Sequence, residues 1–302
     1  MRKLIFAAVL SAAIFLSACS QGQQTQTAQV YDIEQLIASS EKTVNDDGSW
    51  YISDFDKDGK ELRTSWYGKD GQLEDYSIFE YDEKGNNVLR TRYSAENEME
   101  RYTEFSYDDN GNRIFMTVYG SDGEKITWSE YTYDENNNLL SEVDYNTNGH
   151  LDDKYEFEYD DNNNVILIRN YTEDDKVDYI SEYDSQGVLK RINWYNGTDS
   201  LQTIAEPEYN SEGKEIRHRE YYPDGELKTL VEKREDGTPI SKTDYNKNGV
   251  IVCYSTYNEN EKMTSKTDYS NEGVKQSFTE YDGGGQVVNF VLYNADGSVK
   301  EK

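Results

Sequence analysis

Tyr81, Tyr107, Tyr133 and Tyr159 stand 26 residues apart, each followed by Asp and, four positions on, by Gly or Asn. A fixed step constrains a chain more than composition does, because every copy must solve the same folding problem beside its neighbour. Further copies lie between these. Twenty anchor positions run from Phe55 to Tyr293, and all are Tyr except Phe55 and Lys233. The spacing alternates 12 and 14 residues at first, then settles at 12 with one further 14 between Tyr195 and Tyr209. The residue four past the anchor is Gly in fourteen copies, Asn at 97, 137 and 163, Asp at 175 and 199, and Glu at 261. Such a slot needs positive φ, which Gly takes freely and Asn or Asp tolerate. Asp or Asn just after the anchor can bond the turn backbone. Each copy reads as strand, tight turn, strand.

An aliphatic residue follows the slot by two positions in most copies (Leu73, Leu151, Val165 and Val287 among them), an even number of residues before the next anchor. Period-two alternation then predicts one face of tyrosines and aliphatics, and another carrying charges such as Glu74, Arg90 and Lys266. In the 14-residue steps Phe79, Phe105, Tyr131 and Phe157 sit two before the anchor, which predicts longer strands with a second ring. The predicted fold is all-β, a long antiparallel β-meander of about twenty short strands forming a coiled single-layer repeat ribbon. Ahead of it, Val30, Ile33, Leu36 and Ile37 recur at helical spacing, with Asp32 and Gln35 placed to cap, and predict a short N-terminal helix over 32–42.

Arg2 and Lys3 precede an apolar run from Leu4 to Leu16, which closes on Leu16-Ser17-Ala18-Cys19. The run is too short for a spanning helix and fits a secretory leader. The polar tract 20–27 reads as a tether. The chain thus divides into a leader over 1–18, a segment of Cys19, tether and short helix over 19–47, and the repeats over 48–302. With 31 basic against 60 acidic residues the formal charge is −29, which excludes nucleic acid as a partner. The 27 tyrosines argue against disorder.

Leu16-Ser17-Ala18-Cys19 resembles the lipobox of bacterial lipoproteins. That resemblance implies cleavage before Cys19, its diacylation, and attachment to a lipid bilayer, since two acyl chains anchor stably. With Ser20 next, sorting to the outer membrane is implied if the host has two membranes. Cys253 is then left without a partner and a disulfide framework is excluded. Phe105-Ser106-Tyr107-Asp108-Asp109-Asn110-Gly111-Asn112 looks like the YD repeat of Rhs-type proteins, which implies a long ribbon of hairpins. Tyr221-Tyr222-Pro223-Asp224-Gly225-Glu226-Leu227 looks more like MORN-type hairpin repeats, and the stretch from Ser49 to Lys60 is similar to cell-wall-binding repeats of surface proteins.

For chemistry, the only histidines, His150 and His218, sit near no nucleophile motif, and the chain reads as non-enzymatic. Asp54, Asp56 and Asp58 before Gly59 match the opening of a calcium loop, but Ser65 stands where a bidentate Glu belongs. Asp82, Asp108, Asp134, Asp160 and Asp184 are expected along one rim, about 10 Å apart, a spacing for loose Ca2+ accumulation rather than shared coordination. Trp66, Trp128 and Trp194 fall outside the anchor register and are candidates for a binding platform. Three functions remain open: an envelope scaffold for protein interaction or structure, a glycan- or cell-wall-binding module, and an immunity-like protein that neutralises a toxin.

Overall fold

The computed structural model describes residues 33–300; the leader, Cys19 and the tether tract lie outside the described residues. Strands follow one another with tight turns between them. The first eleven are β1 (Ser39–Val44), β2 (Trp50–Phe55), β3 (Glu61–Tyr67), β4 (Leu73–Tyr81), β5 (Asn87–Ser94), β6 (Met99–Tyr107), β7 (Arg113–Gly120), β8 (Lys125–Tyr133), β9 (Leu139–Tyr145), β10 (Leu151–Tyr159) and β11 (Val165–Tyr171). Then come β12 (Val177–Tyr183), β13 (Leu189–Trp194), β14 (Thr203–Tyr209), β15 (Glu215–Tyr221), β16 (Leu227–Lys233), β17 (Pro239–Tyr245), β18 (Ile251–Tyr257), β19 (Met263–Tyr269), β20 (Lys275–Tyr281) and β21 (Val287–Leu292). Each pairs antiparallel with its sequence neighbours, giving one open 21-stranded meander. Substantial packing runs only between consecutive strands, so the sheet is one layer and close to one-dimensional in its energetics.

The turns follow one rule. In the hairpin after Tyr81, the Asp82 amide donates to Asn86 O at 2.9 Å and the Gly85 amide to Asp82 O at 3.1 Å. This is a type I turn followed by a residue in the left-handed region. Nineteen of the twenty predicted slots have positive φ, including Glu261 at 59°. The exception is Asp199. There β13 and β14 are joined by the longer loop 195–202, in which Asn196 and Gly197 take φ of 52° and 68°. The last 14-residue step is therefore spent in a loop, whereas the first four lengthen β4, β6, β8 and β10 to nine residues.

Two expectations are corrected. The predicted helix over 32–42 is only a 3-10 turn at Ile33–Gln35, after which the chain extends into β1 along the edge of β2. The sheet begins there, one strand before the repeat becomes legible, on a turn whose Gly48 has φ of 90°. More consequential is the division of the faces. A register shift sits beside nearly every anchor: Tyr257 pairs with Met263, but Thr256 pairs with Ser265. Thr256 Oγ1 lies 2.7 Å from Thr264 Oγ1 and 2.8 Å from Ser265 Oγ, two residues facing one. Such a bulge adds one residue per hairpin and swaps the face of everything after it. Anchors from turns on one rim (Tyr67, Tyr93, Tyr119, Tyr145) thus lie on one face, here the front. Anchors of the other rim (Tyr81, Tyr107, Tyr133, Tyr159) lie on the back. Even counting from aliphatic to anchor missed the inserted residue.

A single layer cannot enclose large side chains, and among the described residues only Ile204 and Ala205 are buried apolar positions. The covered positions are small polar ones at strand centres, such as Thr64, Ser77, Thr91, Ser129 and Ser255. Rings and long side chains of flanking strands close over them, so the tyrosines roof the sheet while remaining half-exposed themselves.

Candidate binding surface

Direct register partners on one face bring side chains within contact distance. On the front face Trp50 meets Tyr67, Tyr76 meets Tyr93, Tyr102 meets Tyr119 and Trp128 meets Tyr145. All four pairs are stacked, with ring centroids 3.9, 5.1, 4.8 and 4.9 Å apart and planes within 15°. Stacked pairs of this kind contribute about 0.5–1.5 kcal/mol beyond area burial. In each pair the first ring stands five residues before its own strand's anchor, the position that the register sets opposite the next front-face anchor. At the fifth step Lys154 occupies that position and lies 4.2 Å from the centroid of Tyr171. Eight half-exposed rings therefore form a row from β2 to β9, beside the rim of turns 68–72, 94–98 and 120–124.

The back face is stitched differently. Tyr81, Tyr107, Tyr133 and Tyr159 donate their hydroxyls to the carbonyls of Glu61, Asn87, Arg113 and Leu139, twenty residues back, at 2.7–3.0 Å. Each phenol ties one turn of its rim to the exit of the turn before. Burial of the rings pushes the ionisation of these four above the usual tyrosine value. On the same rim the Asn112 side-chain amide donates to Asn137 Oδ1, and that of Asn138 to Asn163 Oδ1, both at 2.8 Å.

The predicted site residues are dispersed. Trp128 belongs to the front row. Trp66 lies on the back face, 5.9 Å from the Arg90 guanidinium, and Trp194 is also on the back, tilted against Tyr179 at 5.0 Å. The three do not form one platform. Asp54 is buried in an ion pair with Arg63 at 2.8 Å and accepts from Ser40. Asp56 holds the amides of Asp58 and Lys60, and Asp58 turns out to Lys57. The calcium-loop carboxylates thus point to three separate partners. Among the described residues no group of three His, Cys, Asp or Glu side chains gathers to hold an ion.

The rim carboxylates do stand in a row, at a groove of about 520 Å³ around Asp134, Asn138, Asp160 and Asn163. Both oxygens are spent on their own turns, however. Asp108 Oδ1 accepts from the amides of Asn110 and Asn112, and Oδ2 from the Asn112 side chain. The side-chain bond from Asn112, with those from turn amides, holds this carboxyl below the usual range. Asp82, Asp134 and Asp160 are lowered chiefly by the equivalent asparagine bond, and Asp184 by Lys190. His218 sits 2.7 Å from Glu215. Cys253 is a free, half-buried thiol, raised by that burial.

The row itself escaped the sequence reading, although its signal is present: Trp50, Tyr76, Tyr102, Trp128 and Lys154 form a second series at the 26-residue step.

No protein-family model matches the chain, and no curated protein matches it. Solved structures give distant likenesses. The chain is 14% identical to the structure described as "TcdB2-TccC3-Cdc42", over 82% of this chain and 16% of that one, with a TM-score of 0.33. A Tc holotoxin pore from Photorhabdus luminescens gives 14% identity over 83% of this chain and 16% of that chain, with a TM-score of 0.34. A porin-like protein from Bacteroides uniformis gives 12% identity, covering 78% and 91%, with a TM-score of 0.26. The chain thus spans about a sixth of the Tc-toxin chains it matches. It is a β-hairpin repeat meander with distant structural similarity to segments of Tc-toxin chains.

Proposed function

We propose that this chain is a YD-type hairpin-repeat lipoprotein, held to the envelope membrane through acylated Cys19, that acts without catalysis as a scaffold for an extended protein partner. One observation carries the reading: the row of four stacked, half-exposed aromatic pairs on the front face of β2–β9. Aromatic side chains offer large contact area at small entropic cost and are enriched at interfaces. An open single-layer sheet leaves them accessible along a line, which suits an extended segment better than a compact ligand. The even two-strand step of the row favours a second reading, in which a repetitive glycan stacks on successive pairs.

The test uses the Cys19→Ser chain against an array of extended peptides and cell-wall glycans. Peptides are expected to bind, to lose binding in Tyr102→Ala/Trp128→Ala, and to keep it in Trp194→Ala, whose ring is on the other face. Binding indifferent to the front-row variant overturns the proposal, and retention of glycans alone moves it to the second reading. For the anchor, a labelled fatty acid is expected on the wild-type chain and absent from Cys19→Ser. An unlabelled wild type overturns attachment.

A further inference from the structure

On the back face the register places Arg92 directly opposite Arg101, with Arg90 two residues away opposite Thr103. Like charges directly across a sheet are destabilising. Here they occur in a chain with 60 acidic residues and 31 basic ones, so partners are not scarce. The nearby carboxylates of Asp75 and Glu100 both go to Arg92, at 2.6 and 3.2 Å. The Glu100 contact lacks the alignment of a hydrogen bond, and the buried Arg92 Nε has no hydrogen-bond partner among the described residues. Among the described residues Arg90 donates only to Ser77 Oγ, at 3.2 Å, and its guanidinium lies 5.9 Å from the rings of Trp66 and Phe79. Burial, then the charges of Arg101 and Arg92, pull the Arg90 pKa down. Arg101 makes no hydrogen bond or ion pair to a described residue, and it is exposed.

These three arginines line one side of a cleft of about 230 Å³. Its other wall is Phe105, Met116 and Val118. Beyond it, Arg113 lies 5.4 Å from Phe105 and 5.7 Å from Tyr131, with no ion pair to a carboxylate among the described residues. Charge uncompensated by the protein beside an apolar wall describes a receptor for an anion with an apolar body. The guanidinium fork is matched to phosphate and carboxylate oxygens.

We infer that this back-face cleft binds an oxyanion carried on an apolar group, a phosphate monoester or a carboxylate, clamped between Arg90 and Arg101 with its body against Phe105 and Met116. The site is on the opposite face from the aromatic row and does not depend on it.

The test is calorimetric titration of the Cys19→Ser chain with phenyl phosphate, benzoate and inorganic phosphate, with Trp66 emission followed in parallel. Saturable binding of phenyl phosphate or benzoate is expected, weakened at least tenfold in Arg101→Gln and unchanged in Arg219→Gln, a front-face arginine already paired with Glu208 at 3.1 Å. The Arg101 side chain makes no hydrogen bond or ion pair to a described residue, so its variant is expected to keep the wild-type circular dichroism. Tighter binding of phenyl phosphate assigns a phosphate ester, and tighter binding of benzoate a carboxylate. Equal affinity for inorganic phosphate overturns the role of the apolar wall. Failure of all three to saturate, or Arg101→Gln binding like wild type, overturns the site.

Discussion

The stretch from β2 to β11 and the stretch from β14 to β21 repeat the same turn, yet they are held together by different chemistry. In the first, the period is 26 residues, four of the ten strands have nine, and neighbours are joined by stacked rings in front and by phenol-to-carbonyl bonds behind. In the second, strands are short and charge takes over. Arg217 bridges Glu208 and Glu232, both at 2.9 Å, Lys233 reaches Glu215 at 2.7 Å, and Arg234 donates to Tyr257 O and Pro239 O at 3.0 and 2.5 Å. The residue five before each anchor decides the difference. Before Phe55, Tyr81, Tyr107 and Tyr133 it is a ring set opposite the next front-face anchor, whereas before Tyr209 it is Ile204, which Tyr221 meets instead. The boundary is the loop 195–202, where the spare pair of residues goes into a connection rather than a strand.

The largest separation of the two stretches is expected at high pH. Ring burial raises the ionisation of the tyrosines from Tyr76 to Tyr107 and onward, and pushes Tyr171, which also donates to Glu156, up to about 12. Unfolded tyrosines ionise near 10.0, so this contribution is complete below that value and is lost as pH climbs through the raised ones. Alkaline titration followed by hydrogen exchange is expected to open β4–β11 in step with tyrosinate absorbance. Opening that starts beyond residue 203 breaks the comparison.

Next in size is Trp128→Ala, which removes a half-exposed ring and its stack on Tyr145. A loss of about 2 kcal/mol is expected, confined by the one-dimensional contacts to the amides of β7–β10. Tyr107→Phe removes only the hydroxyl that reaches Asn87 O, about 1 kcal/mol, and Tyr257→Phe, whose hydroxyl has no such bond among the described residues, is expected to be neutral in denaturant melts. The smallest effect is expected from Glu208→Gln, which unties the half-exposed arginines Arg217 and Arg219. Its shift in midpoint should shrink to nothing at molar salt, because exposed ion pairs are screened. A shift that survives salt would mean the second stretch is not held by charge.

Particular residues explain what the sequence disclosed and what it hid. Turn slots were readable even at Glu261, because positive φ is a local demand written in composition and spacing. Asp199 misled, since Gly197 two residues earlier takes the same role at lower cost. β1 was hidden because Val44 stands where an anchor would, and its strand presents no period of its own. The division of tyrosines between faces was illegible for a different reason. No residue type marks these bulges, which come from how two strands settle against each other, and one inserted residue reverses every later inference about faces. The arginine cleft was hidden by the same swap: Arg90 reads as one solvated charge among many until the register sets Arg92 against Arg101.

The swap of faces at each hairpin is what separates the aromatic row from the arginine cleft, and engineered disulfides reach it most directly. In a Cys253→Ser background, an unshifted hairpin after Tyr245 would pair position 241 with 255, whereas the shifted one pairs Ser241 with Thr256. Directly opposite positions have Cα atoms about 4.5–5.5 Å apart, within disulfide range, while a one-residue slip points the two side chains to opposite faces. Mild oxidation is predicted to close the disulfide in Ser241→Cys/Thr256→Cys and to leave Ser241→Cys/Ser255→Cys as free thiols. The reverse result would put every anchor tyrosine on one face and contradict the account.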